Sequence, residues 1–97
     1  ISDGERVVKL SNGTKLLSKV TGTGCMTSAI TGAYAGVCKG DYFSATIGGV
    51  ISMGIAGEIA YERASEVGTG SFHIAVIDAL SKLDKNIIEK MAKIDEE

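Results

Sequence analysis

The spacing of apolar residues changes character at Val20. Before it, Arg6 to Leu10 and Lys15 to Val20 are short β-favouring runs separated by Ser11-Asn12-Gly13-Thr14. Asn-Gly between two such runs predicts a hairpin, because both residues tolerate the positive φ of a type I′ turn. The second run alternates imperfectly, since Leu16 and Leu17 are adjacent. Either both of its faces are covered or a bulge shifts the register. After Val20, Met26, Ala29, Ile30, Ala33, Tyr34 and Val37 recur at helical spacing and mark one continuous face. The opposite face carries Thr27, Ser28, Thr31, Gly32 and Gly36, small residues that let another backbone approach. Lys39-Gly40 ends this helix, with Gly40 as a left-handed cap.

Asp41 is the expected N-cap of a second helix over about Tyr42 to Ser65, buried along most of its length and polar only at Glu58, Glu62, Arg63 and Glu66. Gly68-Thr69-Gly70 breaks the chain, Ser71 is placed to cap a third helix, and Val76, Ile77, Leu80 and Leu83 are expected to face inward. Asp84 restarts a short fourth helix with an apolar stripe of Ile87, Ile88, Met91 and Ile94, and Asp95-Glu96-Glu97 reads as a frayed tail. The pattern therefore predicts one α/β unit, a β-hairpin over residues 1–20 followed by three or four helices over 21–97. That is more helix than one hairpin can cover, so a larger sheet is expected elsewhere.

Composition narrows the class. With 97 residues, 44% hydrophobic and 23% charged, the chain has the make-up of an ordinary globular domain. A net charge of −2 with scattered Lys and Arg offers neither nucleic acid nor a membrane surface a basic patch. Cys25, Cys38 and the single His73 match no metal-ligand spacing or CxxC pair, and reduced thiols in the cytoplasm are expected. The apolar stretch from Tyr42 to Ala60, with Gly32, Gly36 and Gly40 upstream at GxxxG spacing, calls for a membrane check. Its polar Ser44, Thr46, Ser52 and Glu58 and its glycines make it a weak span and favour a closely packed buried helix. Ile1-Ser2-Asp3-Gly4 reads as a turn between strands, the mark of a C-terminal part of a longer chain.

The chemistry centres on Thr21-Gly22-Thr23-Gly24-Cys25, a glycine-rich turn that opens the first helix. The first N–H groups of a helix have no internal partners and, with the helix dipole, favour phosphate. A Cβ at Gly22 or Gly24 would obstruct a ligand's approach, and Thr21 or Thr23 could supply a capping hydroxyl. Cys25, expected at the first helical position, would sit where a thiolate is favoured and could take the proton of an attacking hydroxyl. Positioning and charge stabilisation are most of what phosphoryl transfer asks of a protein. The segment is neither a Walker A loop, which needs a lysine, nor GxGxxG, since Thr27 stands where the third glycine would be.

The run Lys19-Val20-Thr21-Gly22-Thr23-Gly24-Cys25-Met26-Thr27-Ser28-Ala29 resembles the C-terminal signature of the hydroxyethylthiazole kinases, thiamine-salvage enzymes of the ribokinase-like superfamily. Asn12-Gly13 leading into Leu16-Leu17-Ser18-Lys19-Val20 is similar to the family's approach to that motif. Gly68-Thr69-Gly70-Ser71-Phe72 followed by Asp78-Ala79-Leu80 is similar to its late GPGSF…DAL segment, with Thr69 departing from Pro. The resemblance implies the C-terminal part of a ribokinase-like αβα fold and ATP- and Mg²⁺-dependent phosphorylation of a thiazole alcohol. It further implies Cys25 as the base, where most of the superfamily carries Asp. Gly22 is implied as a contact to the alcohol, and the N–H groups of Gly22, Thr23, Gly24 and Cys25 as an anion hole. The thiazole-contacting methionine, the ATP contacts and the acidic groups for Mg²⁺ are implied upstream of Ile1, and the assembly is implied to be a homotrimer.

Two other readings stand beside it. Hydroxymethylpyrimidine phosphate kinases share a GTGC-T-type motif, though Lys19-Val20 and Gly70-Ser71-Phe72 favour the thiazole enzymes. A non-catalytic binding module would use the glycine turn structurally and Cys25 as packing. Cys38, Met26 and Met53 are expected to pack, His73 to lie at a helix start, and Lys19 to point away from the motif. The stretches Gly36–Asp41 and Gly48–Gly54 are candidates for the wall of an adenine pocket.

Overall fold

The computed structural model describes residues 1–96. Its elements are strand β1 (Val8–Leu10), a 3-10 helix at Lys15–Lys19, helices α1 (Thr23–Val37), α2 (Tyr42–Ala64), α3 (Thr69–Lys82) and α4 (Lys85–Met91), and strand β2 (Ile94–Glu96). Helix α2 is the axis of the molecule, with α1 and α3 packed along it. It is long and apolar enough to cross a membrane by length and composition, yet 56% of its most apolar window is buried inside the fold.

A small hairpin is present, but its reversal lies at Asp3–Arg6 rather than at Asn12-Gly13. Ser2 bridges Val7, and Val8 N–H donates to Ile1 O at 2.8 Å. Arg6, from the return arm, lies 4.2 Å over the Phe43 ring. The expected second arm, Lys15 to Val20, winds into a 3-10 helix because its two adjacent leucines have to reach the same core. Leu16 and Leu17 both pack against the cluster built by α2 and α3. The Thr14 hydroxyl accepts from Leu16 N–H at 3.3 Å and starts the turn.

Asn12, read from the sequence as a turn residue, is instead a long-range clamp. Its Nδ2 donates to Glu58 Oε1 at 2.9 Å and to Met91 O at 2.8 Å, and its Oδ1 accepts from Lys93 N–H at 2.7 Å. Gly13 N–H donates to the same Glu58 oxygen at 2.8 Å. These bonds draw the chain after α4 alongside β1. The tail expected to fray therefore forms β2, antiparallel to β1, with Val8 opposite Glu96 and Leu10 opposite Ile94. Glu97 lies outside the described residues.

Asp41 and Asp84 cap their helices as the sequence predicts. Asp41 Oδ1 accepts from Ser44 N–H at 3.2 Å, and Asp84 Oδ1 accepts from Ile87 N–H at 2.9 Å. The serine cap of α3 is not formed. The helix starts at Thr69 behind Gly68, with no side-chain cap.

The core is a seam of small residues. Ala56, Ala60 and Ala64 of α2 meet Phe72, Ala75, Val76 and Ala79 of α3, and Phe72 and Val76 are wholly buried. Alanine against alanine brings the two helices close, so α3 buries its alanines and leaves Ile77, expected to face inward, 48% exposed. Helix α1 is turned in a similar way. Thr31 packs against Gly49 and Tyr34 against Gly48, while the Tyr34 hydroxyl bonds the buried Ser52 at 2.9 Å. A Cβ at Gly49 would overlap Thr31 Oγ1 and stand 2.7 Å from Thr31 Cα, so only glycine permits this approach. The part of the apolar face expected from Ala29, Ala33 and Val37 is exposed as a result, Val37 at 82%. Gly40, at φ +84°, ends the turn after α1 as expected.

Candidate functional site

The glycine-rich turn arrives at α1 from the 3-10 helix. Gly22 is the N-cap, at φ +97° and ψ −6°, a left-handed conformation that side chains other than glycine adopt only at a cost. This position needs glycine for its backbone. Gly24 has ordinary helical geometry, and a Cβ there would meet nothing within 4 Å. Its lack of a side chain serves only the open space in front of the helix.

The helix begins two residues earlier than the sequence reading placed it, at Thr23, so Cys25 occupies its third position. Met26 N–H is the first amide tied to the turn, donating to Gly22 O at 2.9 Å. Among the described residues, the N–H groups of Gly22, Thr23, Gly24 and Cys25 have no protein acceptor. They are the orphan donors of the helix start, and the dipole places partial positive charge with them. Neither threonine caps the helix, because an N-cap glycine has no side chain. The Thr23 hydroxyl points back, donating to Leu17 O at 3.1 Å and approaching Val20 O at 3.5 Å. Thr27 Oγ1 donates to Thr23 O at 2.8 Å within the first turns.

Cys25 is exposed and free. A packing cysteine would be buried, and Cys25 is not. Lys19 is exposed at the end of the 3-10 helix. Cys38 is the half-buried C-cap of α1, its N–H bonded to Tyr34 O at 2.7 Å. His73 is half-buried within α3, and among the described residues no group of three or more His, Cys, Asp or Glu side chains is placed to hold a metal ion.

Sequence reasoning missed the groove beside this helix start. It measures about 490 Å³ and is lined by Asn12–Lys15, Leu17, Thr27, Val50, Met53 and Gly54. Val50, Met53 and Gly54 of the Gly48–Gly54 stretch line this groove, and no residue of Gly36–Asp41 does. The missing signal was the fold-back of Asn12–Lys15 over α2, which depends on Asn12's bonds to residues far along the chain.

A glycine turn that presents unpaired amides at a helix start, a thiol in the helix's first turn and helices packed in this order define the C-terminal part of a ribokinase-like fold. A solved hydroxyethylthiazole kinase from Pyrococcus horikoshii superposes on the chain with a TM-score of 0.88 at 43% identity, over 99% of this chain and 36% of that one. The family model for the hydroxyethylthiazole kinase family matches residues 1–86, and the chain belongs to that family. Hydroxyethylthiazole kinases of Clostridium beijerinckii and Ruminiclostridium cellulolyticum are 66% and 58% identical to it, each over 99% of this chain. The chain spans about a third of the length of these curated relatives, 34% and 35%.

Proposed function

We propose that this chain is the anion-hole and general-base part of a longer kinase, which phosphorylates the hydroxyethyl group of 4-methyl-5-(2-hydroxyethyl)thiazole with ATP in thiamine salvage. The observation that carries the reading is the exposed Cys25 thiol in the first turn of α1, beside the unpaired amides of Gly22 to Cys25. Membership of the hydroxyethylthiazole kinase family supports the choice of alcohol.

In this reading Gly22 touches the thiazole alcohol, and Cys25 acts as the base that takes its hydroxyl proton. The alcohol oxygen attacks the γ-phosphorus, the bond from that phosphorus to the β–γ bridging oxygen breaks, and ADP leaves with the electron pair. The N–H groups of Gly22, Thr23, Gly24 and Cys25 donate to the phosphoryl oxygens as their charge redistributes. Fixed donors aimed at developing charge lower the barrier without reorganising during the reaction. The groove along Thr27, Val50 and Met53 opens beside Leu17 and Thr27, both bonded to Thr23, and is the proposed seat of the nucleoside. Mg²⁺ supplies charge neutralisation of the phosphates in such kinases. The described residues hold no group of three or more His, Cys, Asp or Glu side chains that could bind it. The longer chain is proposed to act in the cytoplasm as a homotrimer, with small molecules rather than nucleic acid or membrane as partners.

The test is Cys25→Ala in the full-length enzyme. A positioned base contributes about 10²- to 10⁴-fold, so kcat should fall by that order with the melting temperature unchanged. Unaltered turnover would favour a binding module in which Cys25 has no chemical part. Turnover of hydroxymethylpyrimidine but not of the thiazole alcohol would move the assignment to the pyrimidine kinases. The 97-residue segment by itself is expected to show no ATP-dependent phosphorylation, because most of the nucleotide and metal groups of such a kinase are proposed to lie upstream of Ile1.

A further inference from the structure

An N-cap glycine leaves the amides of α1 free for a ligand, and it also leaves the start of the helix without the side-chain bond that usually fixes it. We infer that Thr23 replaces that missing cap as a positioning residue, latching the anion hole to the 3-10 helix through its hydroxyl. The inference rests on the function proposed above, and it divides Thr23 into two parts. Its N–H belongs to the row of unpaired amides, while its side chain faces away from them.

The geometry gives the latch a defined path. Thr23 Oγ1 donates to Leu17 O at 3.1 Å, with Val20 O a second acceptor at 3.5 Å. Both carbonyls lie at the C-terminal end of the 3-10 helix, where Leu17 O also accepts the C-cap N–H of Val20 at 3.4 Å and takes the Thr23 hydroxyl as a second donor. Leu17 in turn is wedged against α2, where a Cβ added to Gly57 would come within 2.8 Å of its Cδ1. The next bond on the helix, Thr27 Oγ1 to Thr23 O at 2.8 Å, ties the same residue from the other side. Orientation of the amides is thereby set by α2 through Leu17 and Thr23. A hydroxyl at position 23 keeps the bond, and a methyl in its place removes it. Angstrom-scale misplacement of catalytic groups costs on the order of 100-fold in rate.

Thr23→Val and Thr23→Ser in the full-length enzyme test this, since valine keeps the shape and loses the donor. In the valine variant kcat should fall about 10- to 100-fold. KM for the thiazole alcohol should stay within about twofold, and serine should restore most of kcat. A merely structural threonine would lower the melting temperature without this division between kcat and KM. A valine variant with wild-type kcat, or a serine variant as impaired as valine, would overturn the inference. One readout needs no substrate. Hydrogen exchange at the Met26 amide, bonded to Gly22 O at 2.9 Å, should accelerate in valine and hold in serine. Equal protection in all forms refutes the latch whatever the enzyme phosphorylates. A wild-type protein inactive on the thiazole alcohol would instead count against the proposed function alone.

Discussion

Gly49→Ala adds one methyl group at the closest approach of α1 and α2. The new Cβ would overlap Thr31 Oγ1 and stand 2.7 Å from Thr31 Cα and 2.8 Å from its Cβ. An oxygen on a side chain can rotate aside, whereas a backbone carbon moves only if the whole helix does. Replacing glycine by alanine inside a helix otherwise gains about 1 kcal/mol, and overpacking a well-filled contact costs about 1–3 kcal/mol. A backbone neighbour puts this site near the upper end, for a net loss of about 2 kcal/mol. In a chain about three times as long as this one that corresponds to a fall of roughly 3–4 °C in Tm, readable by differential scanning calorimetry on the full-length enzyme. Two further variants separate the cause from its alternatives. Adding Thr31→Ala to Gly49→Ala removes the oxygen but leaves Cα and Cβ in place, so less than half of the loss should return. Gly57→Ala meets only the ends of the Leu17 side chain, at 2.8–3.2 Å, and should cost less than Gly49→Ala. A Gly49→Ala enzyme that melts at or above the wild-type temperature, or complete recovery with Thr31→Ala, would refute backbone contact as the reason for glycine.

Asn12→Ala removes the donors to Glu58 and Met91 O and the acceptor for Lys93 N–H, and at about 1 kcal/mol per bond should cost about 2–3 kcal/mol in a urea titration. A loss below about 0.5 kcal/mol would show that the clamp adds nothing to stability. At the N-terminal turn, the backbone N–H of Arg6, then that of Glu5, hold the Asp3 carboxyl down from 3.8 to about 2, with further help from the Arg6 side chain. Because this folded value is depressed, the turn's bonds are fully present above pH 3.8 and are lost as pH falls through about 2. An NMR titration of the Arg6 amide should therefore have its midpoint near pH 2, and a midpoint at 3.8 or above would contradict the bonding described.

What could be read along the chain was whatever depends on near neighbours. The caps at Asp41 and Asp84, the left-handed Gly40 and the glycine turn at Gly22 all rest on bonds or dihedral limits spanning a few residues. The unpaired amides and the thiol beside them follow from a helix start alone, so the candidate site was legible before any tertiary contact was known. Only the folded chain decided which face of each helix is buried. Periodicity marks an apolar stripe, but the glycines and alanines of α2 admit small residues most closely. Thr31 and Ala75 therefore turn inward, and Val37 and Ile77 outward. Asn12-Gly13 carried a strong local hairpin signal, and bonds to Glu58, Met91 and Lys93 overrode it. Those partners stand 46 to 81 residues away, beyond any window of local pattern. The same long-range bonds shape the groove beside the site and add β2 to β1. The proposed chemistry is local because it would use backbone groups that every helix start exposes, whereas its surroundings are tertiary because they are built from distant parts of the chain.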